Sequence, residues 1–256
     1  MLALSGTLYQ ALLRNPLSDP FIIGVSGGAA LGATVALVQG MGQPWVAFMA
    51  LGGSLAVTAA VHLLSLRFAL PVPTLLLAGI ALNMVCSSLV MLIYAFSDAS
   101  RVHRALLWLM GDLSGAPAWM LLAAALLLLL VTLVTFLLSR QLDILSMGES
   151  FKQGLGVDRA SVAWHFFAAA LLAALAVSLA GVIGFVGLMV PHIMRAIHDS
   201  RHRYLVPSSV VAGGIILMAA DTAGRSMAPP YEVPVGVVTG ILGGLFFISL
   251  VIRRRL

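Results

Sequence analysis

Charge is what this sequence has least of. Only 9% of its 256 residues are Asp, Glu, Lys or Arg, and 61% are hydrophobic. A soluble domain carries roughly a quarter charged residues, so there is too little polar surface here to cover a globule in water. The mean hydropathy of +1.08 places the chain among polytopic, all-α membrane proteins. Alternation at period two is missing as well. The apolar runs are long and continuous, which argues against the strands of a membrane barrel. A single cysteine, Cys86, excludes an internal disulfide and a cysteine-rich metal site. There is no G-x-x-x-x-G-K-[ST]. Lys152, the only lysine, is followed by Gln153, so no phosphate-cradling loop forms around it. H-E-x-x-H and G-x-S-x-G are also absent, and the six histidines are dispersed, mostly near helix ends. No covalent chemistry, metal or cofactor is expected. Met1 opens directly into apolar residues, with no basic region or cleavage-like site, so this is not a signal peptide.

What is present is a series of apolar segments. At about 20 residues per span, the chain reads as one transmembrane domain over residues 1–256. A partial helix at 1–13 precedes eight full helices between about 21 and 252. Pro16 and Pro20 end the partial helix. The segments 161–180 and 182–197 almost abut, so one of them must tilt or start late. Glycines recur in fours at Gly24, Gly28 and Gly32, and again at Gly236, Gly240 and Gly244. Such spacing makes smooth faces where another backbone approaches closely, for packing or for sliding during gating.

The basic residues set an orientation. Alternate loops hold Arg14, Arg67, then Arg140, Lys152 and Arg159, then Arg195, Arg201 and Arg203, then Arg253, Arg254 and Arg255, 11 of the 14 basic residues in all. The opposite side holds only Arg101, Arg104 and Arg225. By the positive-inside rule the richer side, with the C-terminus, is cytoplasmic. Scattering over topogenic loops, rather than gathering on one face, excludes nucleic acid as a partner.

The chain is organised around residues 139–159, a polar island that carries six of the 23 charged residues. Its leucine and glycine spacing reads as short compact helices, and a connection this long is functional or disordered. The membrane middle, in contrast, is nearly free of ionisable groups. An ion-coupled secondary transporter needs such groups there, so the pathway is neutral and the energy comes from elsewhere. Asn83 and Ser87 are four apart on one helix; they line a pathway or join helices. Asp221 and Arg225 form an i,i+4 pair at an interface.

Several segments in order then resemble the FecCD-type permeases, the membrane subunits of ABC importers for iron-siderophores, haem and vitamin B12. They are Asn15-Pro-Leu-Ser-Asp-Pro20, Gly24-Val-Ser-Gly-Gly-Ala-Ala-Leu-Gly32, Leu75-Leu-Leu-Ala-Gly79, Trp108-Leu-Met-Gly111, and Met147-Gly-Glu149 with Leu155-Gly156. The set ends with Gly184-Phe-Val-Gly-Leu-Met-Val-Pro-His192 with Arg195, Ala220-Asp221 with Arg225, and Glu232-Val-Pro-Val-Gly-Val-Val238. The resemblance implies a type II ABC importer permease fold in a bacterial inner membrane. It implies two ABC ATPase subunits docked from the cytoplasm, a periplasmic or lipoprotein substrate-binding protein outside, and a second permease copy or paralogue. It further assigns Gly148, Glu149, Leu155 and Gly156 to the ATPase-facing coupling loop, and Arg225 to docking of the binding protein. Asn83 and Ser87 fall on a path-lining helix, and Pro71 and Val72 at a cytoplasmic gate.

Relative to that family, the first helix and the outer half of the second are missing. A misassigned start, a decayed gene or a separate chain would each account for this, and a non-functional permease fragment is the reading a decayed gene implies. The 256-residue chain alone is expected to be poorly stable or inactive, and uptake in a strain lacking its own permease checks this.

Overall fold

The computed structural model describes residues 1–68, 71–148, 159–227 and 231–253. Among them are eleven α-helices, one 3-10 helix and no strand. The α-helices are α1 (Leu2–Leu12), α2 (Val25–Val38), α3 (Gln43–Phe68), α4 (Val72–Ala95), α5 (Ala99–Leu109) and α6 (Ala118–Leu137). They continue as α7 (Ser139–Met147), α8 (Arg159–Ala180), α9 (Val186–Ile197), α10 (His202–Met227) and α11 (Val235–Arg253).

Six helices are long and apolar enough to cross a bilayer: α3, α4, α6, α8, α10 and α11. The other two stretches read as spans from the sequence are shorter helices, α2 and α9. The first begins with the 3-10 turn Pro20–Ile23. The second starts late, at Val186, after an irregular stretch from Gly181 to Phe185. Irregular backbone at membrane depth is tolerated only where protein encloses it and its polar groups are paired. Here the pairing is explicit. Asp19 Oδ1 accepts the Phe21 N–H at 2.8 Å. Gly181 donates its N–H to Val177 O at 2.8 Å, Gly184 O accepts the Val186 N–H at 2.9 Å, and Phe185 O accepts the Met189 N–H at 2.7 Å.

The centre of the molecule is α1, the helix too short to span. Its 11 residues extend about 16 Å, yet Leu2 to Ala11 are all buried, so no apolar face of it is left bare. α7, α8, α9, α10 and the 3-10 turn pack around it. Ser5 Oγ donates to Ala169 O at 2.6 Å and Thr7 Oγ1 to its own helix at Ala3 O, while the buried Tyr9 hydroxyl has no hydrogen-bond partner among the described residues. Of the six long helices, α8 lies deepest, with 56% of its most apolar stretch buried, against 17% for α4. The outward faces of α4, α6 and α11 are apolar, as a lipid or partner surface requires.

Close approach depends on small residues. A Cβ placed on Gly6 would sit 1.6 Å from the Gly187 carbonyl oxygen of α9. The first glycine set behaves similarly: Cβ atoms on Gly28 and Gly32 would fall 2.3 and 2.0 Å from the Gly53 and Met49 carbonyl oxygens of α3. In the second set, Gly236 lies against Met110 O, while Gly240 and Gly244 have open space beside them. Gly6→Ala is therefore expected to force α1 and α9 apart and to cost about 1–3 kcal/mol, and Gly240→Ala to leave the isolated chain unchanged. Paired thermal melts in detergent check both.

Candidate functional site

The first half of the polar island folds as α7. The chain turns at Leu138, and the apolar side of α7, Leu142 and Leu145, buries completely in the main core cluster. Two polar bonds to separate helices hold it there. Asp143 Oδ1 accepts the His202 backbone N–H at 2.9 Å and lies 2.7 Å from His202 Nδ1. Gln141 Oε1 accepts a hydrogen bond from Ser161 Oγ at 2.5 Å. Asp143 thus satisfies a first-turn donor of α10, where a carboxylate also meets the positive end of the helix dipole. Burial pushes the Asp143 carboxyl up, but the bonds from the His202 ring and N–H, with the nearby Arg201 charge, outweigh it and hold it below the usual carboxylate range.

Gly148 ends α7 with φ 123° and ψ 173°, a backbone conformation only glycine adopts without strain. The Arg14 guanidinium lies close by: a Cβ on Gly148 would be 3.7 Å from it. The loop after α1 and the end of α7 therefore share one end of the molecule. Glu149, Leu155 and Gly156, the other residues expected to face an ATPase, lie outside the described residues.

The same end contains the expected gate. Pro71 is the cap residue of α4 in an extended conformation, and Val72 begins the helix, half-buried against the main cluster. Farther along α4, Asn83 and Ser87 differ in surroundings. Asn83 is half-buried, and its Oδ1 lies where a Cβ on Gly27 would come within 2.1 Å, so it packs into α2. Ser87 is exposed on the outward side.

At the opposite end, Arg225 closes α10. Its guanidinium reaches Asp221 with Nε at 2.9 Å and Nη2 at 3.3 Å, and its Nη1 lies 3.5 Å from Glu232. The expected i,i+4 pair is present, with a second carboxylate added.

One polar node was not legible in the sequence. Pro191 in α9 has no N–H, so the Gly187 carbonyl four residues earlier is released from the helix ladder. Gln10 of α1 fills the gap. Its Nε2 reaches Gly187 O and Leu188 O at 3.5 Å and Ser18 O at 3.4 Å, and its Oε1 accepts from Arg195 at 2.5 Å. Gln10 and Arg195 are 185 residues apart, as Asp143 and His202 are 59 apart. No local spacing links either pair.

Comparison with known proteins places this arrangement. The model of the FecCD transport family matches residues 1–253. The haemin transport system permease protein HmuU of Yersinia pestis is 38% identical over 99% of this chain and 78% of its own length. The vitamin B12 import system permease protein BtuC of Citrobacter koseri is 37% identical with the same coverage. A solved metal-chelate type ABC transporter in an inward-facing conformation superposes with a TM-score of 0.91 at 32% identity, covering 98% of this chain and 81% of the other.

Replacing Asp143 with Leu removes both contacts to His202. With partial exposure discounted, a loss of about 1–2 kcal/mol is expected. Asp143→Asn keeps an oxygen for the N–H and should lose about half as much. The native contribution is present above the usual carboxylate range and disappears as pH falls through the lowered Asp143 pKa. Melting temperatures of the three proteins between neutral and acid pH check the order.

Proposed function

Because the chain belongs to the FecCD transport family, we propose that it is the permease subunit of a binding-protein-dependent ABC importer, carrying an iron(III) chelate, with haem or cobalamin as variants. The observation that carries this reading is correspondence along the whole length: the family model, the haemin and vitamin B12 permeases and the metal-chelate transporter all match nearly the entire chain. The chain is one transmembrane domain of a bacterial inner membrane, with the α7 end and C-terminus in the cytoplasm. The distribution of 11 of the 14 basic residues supports that orientation.

In this reading two ATPase subunits grip the segment from α7 through Gly148, Glu149, Leu155 and Gly156. ATP binding moves that segment. Since Asp143 is tied to α10 and Gln141 to α8, displacement of α7 pulls on two helices that pack against the central α1. The outward apolar face of α4 and the open faces of Gly240 and Gly244 on α11 suit a second permease copy. Ser87 lies on the exposed side of α4, where such a copy would enclose a path, and Asn83 steadies that helix on α2. Pro71 and Val72 begin α4 at the cytoplasmic gate. At the outer rim Arg225 guides the binding protein. Its pairing with Asp221 and Glu232 makes that contact an exchange of partners, which steers docking more than it tightens it.

Uptake of the chelate by the assembled importer should follow ATP and ignore the proton gradient, which separates this mechanism from an ion-coupled one. Glu149→Arg is expected to lower uptake at least about tenfold, with membrane insertion unchanged. Normal uptake by a normally inserted variant sinks the assignment of that loop.

A further inference from the structure

Three cavities lie in a line along one flank of α3. Nearest α5 is a cavity of about 280 Å³ with Arg104, Asp112, Gln43 and Trp108 in its walls. A constriction of about 10 Å³ at Gln43, Gly115 and Pro117 follows. Beyond it a slot of about 190 Å³ runs between α3, α6 and α8, walled by Phe48, Leu51, Trp119, Ala123, Leu127 and Leu175. Leu179 borders all three, so they form one furrow. The furrow is polar at the mouth and apolar below. Its combined volume is of the order of a small-molecule site, roughly 300–1,000 Å³.

The charges at the mouth are only partly committed. Arg101 is paired with Asp98 and bonded to Val38 O, and Arg225 is held by two carboxylates. Among the described residues Arg104 forms no ion pair. Asp112 spends Oδ1 on the Ser114 N–H and hydroxyl, at 2.8 and 2.6 Å. Its Oδ2 stays beside Gly115, which the Gln43 amide nitrogen flanks more closely. The mouth therefore offers one cation, one carboxylate oxygen and one amide. Trp45, Phe48 and Trp119 form a chain of rings with centroids 6.3 and 6.5 Å apart. Tryptophan at the rim of apolar spans marks headgroup depth; Trp119 opens α6 and walls the near end of the slot, so the mouth, built by residues that precede α6, sits at or outside headgroup level and the slot toward Leu51 and Leu127 lies deeper, among acyl chains. The slot is continuous with the lipid-facing side of α6, where Leu122 and Leu126 are about 60% exposed.

We propose that this furrow holds one phospholipid. Its phosphate lies on Arg104, its headgroup ammonium against Asp112 and Gln43, and one acyl chain in the slot between α3 and α6. A paired cation and anion match a zwitterion. A glycerol headgroup would bring Asp112 only neutral hydroxyl donors, weaker than a charged ammonium N–H, and a choline has no N–H to donate to it. The lipid wedges α3 against α6 beside α8. This assignment is independent of what the protein transports.

The test is lipid retention. The full chain is equilibrated in nanodiscs with equal parts of phosphatidylethanolamine, phosphatidylcholine and phosphatidylglycerol of identical acyl chains. It is then released into mild detergent and weighed by native mass spectrometry. The expected result is one retained phosphatidylethanolamine per chain. Arg104→Gln should lower its retention about tenfold, Ala123→Phe should abolish it by filling the slot, and Arg101→Gln should change nothing. Ala123 is exposed on α6, so its enlargement leaves packing intact. If that variant nevertheless fails to fold, Arg104→Gln decides alone. Retention that mirrors the bulk mixture, prefers phosphatidylglycerol, or survives Arg104→Gln overturns the proposal.

Discussion

The contact that the rest of the structure depends on is the meeting of α1 with the start of α9, backbone against backbone. It exists because Gly6 has no side chain and because Pro191 releases the Gly187 carbonyl toward it. A freed carbonyl in an apolar interior is costly unless it is bonded. Gln10 reaches it from α1 and is itself held by Arg195. Two departures from ideal helix chemistry, a proline inside α9 and a polar amide in a buried helix, therefore compensate each other. The closeness of α1 to α9 lets α7, α8 and α10 pack around the same rod.

This arrangement bears on the proposed coupling, in which a bundle with almost no charge in its spans would respond to a force at one end. Along their spans the long apolar helices carry few polar contacts to other elements, Ser5 to Ala169 O and Ser54 to Val25 O among them, and lipid and leucine are nearly equivalent surroundings for the rest. At the α7 end side chains tie elements together: Asp143 to His202 and Gln141 to Ser161, with the Gln10–Arg195 node nearby on the central rod. At the α5 end the charged residues either pair locally, as Arg225 does, or border the furrow. Helices are joined at that end too, but largely through backbone carbonyls: Val38 O accepts from Arg101, Ala180 O from Asp112 and Met110 O from Gly236.

Much of the fold was legible in the sequence because the signals are long and repetitive. Continuous apolar runs announce helices, and prolines mark breaks. The glycine spacing in α2 foretold its close packing on α3. The abutting segments around Gly181 required a late start, and α9 begins at Val186. The family motifs are also short and ordered, which is why the family was nameable before any geometry. Other points were not legible. Asn83 and Ser87 share a spacing, yet one packs on Gly27 and the other faces outward. Helical periodicity says which residues neighbour each other along a helix but not which neighbouring helix each one meets.

The amino-acid sequence by itself determined the membrane class, the order of the helices and the family, because hydropathy, breakers and motifs are properties of contiguous residues. Only the tertiary structure decided that the shortest apolar helix is the centre, that α7 is pinned through Asp143, and that Gln10 repairs the ladder broken by Pro191. Those facts are contacts between residues far apart in the chain. Their partners are chosen by shape and by the need to pair every buried polar group, and neither is written in any local window.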